Sequence, residues 1–386
     1  MKSSLSAEKE LSFLEATGII VGHGVGSGIL SVPWLAAHNS FLSILLIMAV
    51  CYAFNLILHL VIAELSYNND GAQFVKCLDA ELFSGKIKNI LTWLAFVLIG
   101  LSVLVNVSAF LTGAAAVFTS WFGLERHLGM ILFYILGAGV VFLGLKFVGI
   151  CEKYAVFAMI GVIVIMLAAT LTQDLCPLPS ASFRISNALA LFGMISFSLS
   201  AVMSTPQVVK GLNGNVRKIR GAIAAGLGVN LSLILLVTIT TLIGTGDSIT
   251  ANGALVDLAS RLGGWVGIIG YIFTLLALAT SFWANTLNLR DIIQEQTRWN
   301  VRLSWLAASL PCLLIALFSV MSFVDLTRFA SIIQIVTGLG IVVAYHLSRK
   351  RVGQGAITGI FGSNVFQIIT VLGTLLASVG AVLKVG

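Results

Sequence analysis

The chain has 386 residues, of which 58% are hydrophobic and only 10% charged, with mean hydropathy +1.04. Soluble domains carry about 25% charged residues, so a soluble enzyme or signalling domain is excluded and an integral membrane protein is indicated. The net charge of +7 is the Lys/Arg excess that membrane proteins hold in cytoplasmic loops, and without a basic tail or aromatic RNA motif it argues for a bilayer partner and against nucleic acid.

A helix crossing the bilayer needs about 20 mostly apolar residues. That length predicts eleven spans, near 13–37, 41–66, 90–121, 128–147, 154–172, 187–210, 221–244, 264–291, 303–320, 325–347 and 355–383. The N-terminal stretch "MKSSLSAEKELSFLEATG" has mixed charges and reads as a retained cytoplasmic segment, not a signal peptide. With that end inside, seventeen of the 22 Lys and Arg fall in cytoplasmic segments, the bias that sets topology.

The first span holds "GHGVGSGILSVP" (22–33), with glycine at 22, 24, 26 and 28. Glycine eases departure from helical geometry, and Pro33 suits the first turn of a restarted half-helix. Broken backbone at membrane depth is tolerated only against protein or a wet cavity. The restarted half-helix presents N–H groups, which attract a carboxylate; the preceding one leaves carbonyls for an ammonium or a metal cation. Gly22/Gly26 and Gly24/Gly28 are also close-packing pairs, so tight helix contact is the competing reading.

His23, inside this stretch, is an intramembrane ionisable residue. It either carries a coupling proton or, neutral, hydrogen-bonds a freed carbonyl. In span two, His59 and Glu64 are similarly unusual.

The sixth span, "FGMISFSLSAVMSTP", repeats the pattern, closing in Ser204–Pro206 as the first closes in Ser31–Pro33. Five spans separate the two starts, so they enter the membrane from opposite sides, as inverted repeats do. N–H donors facing carbonyls suit a zwitterion, an amino acid. In span eight, Ala277, Thr280 and Ser281 share a helical face. Their oxygens suit a small cation, although Ser and Thr in such helices commonly bond the preceding turn. At its end, Arg290 and Asp291, with Glu64, read as an intracellular gate or ion-pair network. Five scattered cysteines read as buried small hydrophobes, and no metal or catalytic cluster is apparent.

These three elements resemble amino-acid transporters of the APC superfamily with the LeuT-type fold, nearest to the amino acid/auxin permeases and the bacterial hydroxy/aromatic amino acid permeases. The resemblance runs through Gly26, Gly28, Ile29, Leu30 and Pro33, through "STPQVVKGLNGNVRKIR" (204–220) and through "LALATSF" (276–282). It implies an all-α integral membrane fold of eleven transmembrane helices in one domain, with helices 1 and 6 broken. A 5+5 inverted repeat, about 11–175 and 185–347, would be followed by one extra helix, about 353–384. It implies a sodium-like site from Gly22, Val25, Ala277, Thr280 and Ser281. Gly24, Ser27 and Gly28 would face the substrate carboxylate. The carbonyls of Ser196, Phe197 and Leu199 would face its ammonium, and Ser102, Asn106 and Phe110 would line the side-chain wall. His23 departs from the small hydroxyl residue usual there, and Ser198 and Ser200 from a glycine-rich centre.

The expected function is a symporter importing a neutral aromatic or hydroxy L-amino acid into a bacterial cell across the inner membrane, coupled to H+ or Na+, with no cofactor. The alternatives are an amino acid sensor on a transport fold, which calls for a long cytoplasmic tail or domain, and a polytopic enzyme, which calls for clustered catalytic groups.

Overall fold

The computed structural model describes residues 10–246, 249–250, 254–318, 323–353 and 355–383. The described residues are almost wholly helical. Helix α1 (Phe13–Gly24) opens with a capping box, in which Ser12 and Glu15 satisfy each other's backbone N–H groups. A single 3-10 turn (Ser27–Leu30) leads to α2 (Val32–Ala37), with Pro33 near its start. The α1 and α2 axes differ by 60°.

The long helices α3 (Phe41–Asn68), α5 (Lys88–Phe122), α6 (Arg126–Phe142) and α7 (Leu145–Thr170) complete the first half. The second half begins with α8 (Ile185–Leu199), a short 3-10 turn (Val202–Ser204) and α9 (Thr205–Gly211). It continues through α10 (Val216–Thr245), α12 (Gly264–Thr297), α13 (Val301–Phe318) and α14 (Phe323–Val352), and α15 (Asn364–Val382) follows.

Each of the eleven predicted ranges overlaps helix among the described residues. Among the described residues eight helical runs are long and apolar enough to cross a membrane, nine with the bent α1–α2 pair. Helix α6 is shorter, at 17 residues. The boundaries correct the sequence reading in two places. The fifth span begins at Leu145, not 154, and so draws Glu152 into the helix. Residues 359–362 form a 3-10 turn before α15, so the last helix begins at Asn364 and not near 355.

Two short amphipathic helices, α4 (Phe74–Glu81) and α11 (Ala254–Leu262), occupy connections read as loops. In α4 the apolar Phe74, Val75, Cys77 and Leu78 are buried while Lys76 is exposed. Such helices are too short to span and pack along their neighbours.

The packing divides into two apolar clusters. One gathers α1, α3, α7, α8 and α10 around Ile19, Ile20, Leu199, Ile223 and Leu227. The other gathers α5, α12, α13 and part of α3 around Val103, Leu111, Phe282 and Ala308. Large apolar side chains also cover the outside, among them Leu46 and Val50 on α3, Leu136 on α6 and Ile368 on α15. An apolar periphery around a polar-centred bundle is what a lipid environment requires.

Candidate functional site

The centre of the molecule is where α1 and α8 lose their helical hydrogen bonding. Val25 N–H closes the last turn of α1 on the Val21 carbonyl at 2.8 Å, and Gly26 is extended at φ −97°, ψ −165°. Gly26 N–H then turns back to Gly24 O at 2.8 Å. The carbonyls of Gly22 and Val25 consequently receive no backbone N–H among the described residues, and Gly28 N–H finds no backbone acceptor. Lone carbonyl oxygens and a lone N–H are the groups expected at such a break.

The second interruption is at Ser200, whose ψ of 110° ends α8. Unlike the first, it leaves α8 and α9 running on as one span without a comparable bend. Ser200 N–H bonds the Phe197 carbonyl at 3.0 Å. The Ser198 carbonyl accepts Asn230 Nδ2–H of α10 at 3.0 Å. The carbonyls of Ser196 and Leu199 take no backbone N–H among the described residues. Ala201 N–H donates to His59 Nε2 at 2.9 Å, while His59 Nδ1 meets the Asn55 carbonyl at 2.6 Å. An Nε2 that accepts must be unprotonated, so Nδ1 carries the hydrogen and His59 is a neutral cap for the broken helix.

The two interruptions are adjacent. His23 Nδ1 lies 2.7 Å from Ser204 Oγ. A Cβ on Gly28 would fall 2.6 Å from Ser198 Oγ and 3.0 Å from the Phe197 ring, so only glycine allows this approach. Phe197 is nonetheless 44% exposed. Gly24 packs under Asn230 and the Ser198 carbonyl. The Ser27 backbone lies in the 3-10 turn between these contacts.

The face of α12 approaches the first break from another side. Ala277, Thr280 and Ser281 are buried. Thr280 Oγ1–H donates to Ala277 O at 3.0 Å, the back-bond expected of a threonine in a helix. Its Cβ would lie 3.0 Å from a Cβ at Gly22, and the Ser281 hydroxyl would lie 3.5 Å from one at Gly26. Gly22 also admits the Glu152 carboxyl of α7, and Gly18, one turn earlier, admits the α7 backbone at Lys153. The close-packing reading of the glycines therefore holds alongside the break. Glu152 escaped the sequence reading because that reading placed it in a loop. Its signal was a single carboxylate in "LKFVGICEKYAVFAMI", a run whose apolar residues continue on both sides.

Other predicted residues lie elsewhere. Ser102, Asn106 and Phe110 follow one face of α5, buried or half-buried. Among the described residues no backbone hydrogen bond joins Asn106 to either interruption. Ser196 Oγ–H points away, to Cys51 Sγ at 3.5 Å.

Arg290 and Asp291 pair with each other at 2.6 Å, both buried. Around them Asn288 Nδ2–H donates to the Met203 carbonyl and to Gln73 Oε1, and Glu295 accepts Gln73 N–H at 2.9 Å. This belt links α12 to the start of α4 and the turn before α9. Glu64 does not join it. Its carboxylate accepts the N–H groups of Ile357 at 3.2 Å and Thr358 at 2.6 Å. The three residues predicted as one gate thus belong to two separate arrangements. Among the described residues no group of His, Cys, Asp and Glu could hold a metal ion.

Two adjacent interruptions in a multi-pass helical bundle, each with backbone groups left unused, are the arrangement that paired broken helices of membrane transporters show. The likeness to solved structures agrees. The MhsT structure in complex with L-phenylalanine matches with TM-score 0.68 at 15% identity, over 97% of this chain and 100% of that one. Mhp1, a nucleobase-cation-symport-1 family transporter in a closed conformation with bromovinylhydantoin bound, matches with TM-score 0.65 at 14% identity, over 97% and 94%. The fold is thus of the LeuT type. The chain belongs to the tryptophan/tyrosine permease family, whose model matches residues 9–379. A comparison with curated proteins finds no match. The protein is an amino acid transporter of the membrane, not an enzyme.

Proposed function

We propose that the protein imports a neutral aromatic or hydroxy L-amino acid into a bacterial cell by alternating access, driven by an H+ or Na+ gradient. The observation that carries this reading is the juxtaposition of the two interruptions. The Gly28 N–H on one side faces a carboxylate; the unused Ser196 and Leu199 carbonyls on the other face an ammonium. The backbones of Gly24 and Ser27 complete the carboxylate side, and the Phe197 carbonyl, shared with Ser200, completes the other. The exposed Phe197 side chain is a surface for an aromatic or apolar side chain, and the resemblance would add Ser102 and Asn106 of α5 to the side-chain wall. MhsT, of the same fold, is seen with L-phenylalanine.

The N-terminus is placed in the cytoplasm and the membrane is the bacterial inner membrane, following the Lys and Arg bias. On that side several contacts tie the helices together: Leu11 N–H donates to Gly211 O at 2.9 Å, Lys146 pairs with Glu15 at 2.6 Å, Arg290 pairs with Asp291, and Asn288 Nδ2–H donates to the Met203 carbonyl. Counterflow in proteoliposomes tests the reading: vesicles loaded with unlabelled tryptophan, tyrosine, phenylalanine, serine or threonine should take up the labelled amino acid. Absence of counterflow for every amino acid overturns it.

A further inference from the structure

Glu152 is fully buried, and neither carboxyl oxygen has a hydrogen-bond partner. It stands against Gly22 and the Thr280 side chain, between α1, α7 and α12. The Gly22 carbonyl receives no backbone N–H among the described residues, nor does that of Val25 three residues on, and Ser281, next to Thr280 in α12, has an unpartnered hydroxyl. An ionised carboxylate is not stable in such a place without a positive charge beside it. Among the described residues none stands there.

On α7 itself Lys146 is committed to Glu15 of α1, and Lys153 lies over the Tyr154 ring at 4.6 Å. Cys151 is the adjacent thiol on α7. His23 of α1 is turned to Ser204. On α12, Arg290 and Asp291 pair together and Glu295 faces Gln73. The cations of α10 (Arg217, Lys218, Arg220) and Arg126 and His127 of α6 are exposed at helix starts, and Tyr134 of α6 faces Ser309. Lys210 of α9 is half-buried in that helix's last turn. The missing charge must arrive from solution.

We infer that Glu152 is the seat of the coupling cation, as a carboxyl that takes up a proton or as a carboxylate beside which a sodium ion sits. Both forms satisfy the same requirement, a neutral buried site. For sodium the remaining ligands are hard oxygens of Gly22, Val25 and Thr280. For a proton, the O–H formed on Glu152 leaves the carboxyl neutral against Gly22 and Thr280. Either way the cation neutralises the contact between α1 and α7, so binding at the first break depends on whether it has arrived. The inference rests on the symport reading above and names the residue that performs the coupling.

The experiment is uptake by proteoliposomes under an inward pH gradient or an inward sodium gradient, with counterflow measured in parallel. Glu152→Gln imitates the neutral state permanently. Its counterflow should persist while gradient-driven accumulation falls at least tenfold, and the gradient that drives the wild type identifies proton or sodium. Accumulation by Glu152→Gln equal to wild type overturns the inference and leaves the transport reading intact. Loss of counterflow in the wild type overturns the transport reading instead. Should Glu152→Gln fail to assemble, Glu152→Asp moves the carboxyl by one methylene. It should shift the half-saturating concentration of the driving cation at least threefold, and an unchanged value overturns the inference.

Discussion

His23 on α1 and Ser204 beyond the interruption of α8 share a hydrogen bond of 2.7 Å, although 181 residues separate them in sequence. Each sits beside a stretch where helical bonding lapses. The bond therefore fixes one interruption relative to the other, and with it the spacing between the backbone groups left unused at each.

If that spacing is what His23 provides, His23→Leu and Ser204→Ala should each lower counterflow about three- to tenfold, the loss of one hydrogen bond worth about 1 kcal/mol. The double variant should lose no more than the more damaging single one, because the two groups share one interaction. His23→Gln, which keeps a polar group near Ser204, should retain most activity. Fully additive losses in KM-corrected counterflow would show that the two residues act independently.

Gly28 leaves no room for a side chain. A Cβ there would meet Ser198 Oγ and the Phe197 ring at 2.6 and 3.0 Å. Gly28→Ala should raise the substrate KM about tenfold, and Gly28→Leu should abolish ligand-induced thermal stabilisation, because overpacking costs about 1–3 kcal/mol and displaces the ring. Retained stabilisation by phenylalanine or tryptophan in Gly28→Leu would remove the Gly28–Phe197 contact from the binding site.

The breaks in hydrogen bonding near Gly26 and Ser200 were legible because their cause is local: glycine spacing and the Ser-x-Pro endings act on the backbone they occupy. The Gly22 and Val25 carbonyls, which the resemblance singled out, receive no backbone N–H among the described residues. Glu152 was not legible, for a physical reason. Glu152 and Lys153 are adjacent, and two charges together depress any hydropathy average. Yet neighbouring helical residues point about 100° apart, so Lys153 lies half-buried over Tyr154 while Glu152 turns fully inward. Glu64 misled in the opposite sense. Its charge suggested an ion pair, whereas its partners are backbone N–H groups some 290 residues away, which carry no sequence signature.

Thr280 back-bonds Ala277 and its Cβ abuts Gly22, so its hydroxyl, which donates its hydrogen to Ala277, still has lone pairs to accept with. Thr280→Ala should raise the half-saturating concentration of the driving cation about tenfold, in line with a lost oxygen ligand worth about 1.4 kcal/mol. Thermal stability should change by less than about 1 kcal/mol, since the back-bond adds little. An unchanged response to both sodium and proton gradients would take Thr280 out of the cation site.

Glu64 holds the segment before α15 by two backbone N–H groups, and Arg220 Nε–H of α10 donates to the Ile357 carbonyl alongside. Glu64→Ala leaves both N–H groups without their acceptor and should cost about 2–4 kcal/mol of stability. Because Glu64 shares no bond with the Arg290–Asp291 pair, Glu64→Ala and Asp291→Asn should combine additively in thermal melts. A coupling above about 0.5 kcal/mol would restore the single-network gate.

Glu81, at the end of α4, accepts hydrogen bonds from Arg351 and Asn69. Burial pushes its carboxyl up, but the bonds from Arg351, Asn69 and Ser348 and the Arg351 charge together outweigh burial and hold it below the usual carboxylate value of 4.5. A carboxyl lowered by folding contributes stability that is fully present above its unfolded value and is lost as pH falls through the folded one. Thermal melts of the detergent-solubilised protein should therefore be insensitive to Glu81 between pH 6 and 8 on changing pH. The melting temperature should fall progressively below about pH 4.5 as the carboxyl protonates. Glu81→Gln, compared at neutral pH, should lower stability by about 1–2 kcal/mol, the order of a charge-assisted hydrogen bond, and should flatten its share of the acid limb. The wild-type and Glu81→Gln curves should accordingly converge as pH drops. Curves that stay parallel down to acid would mean that the Arg351 tie contributes nothing to holding α4 against α14.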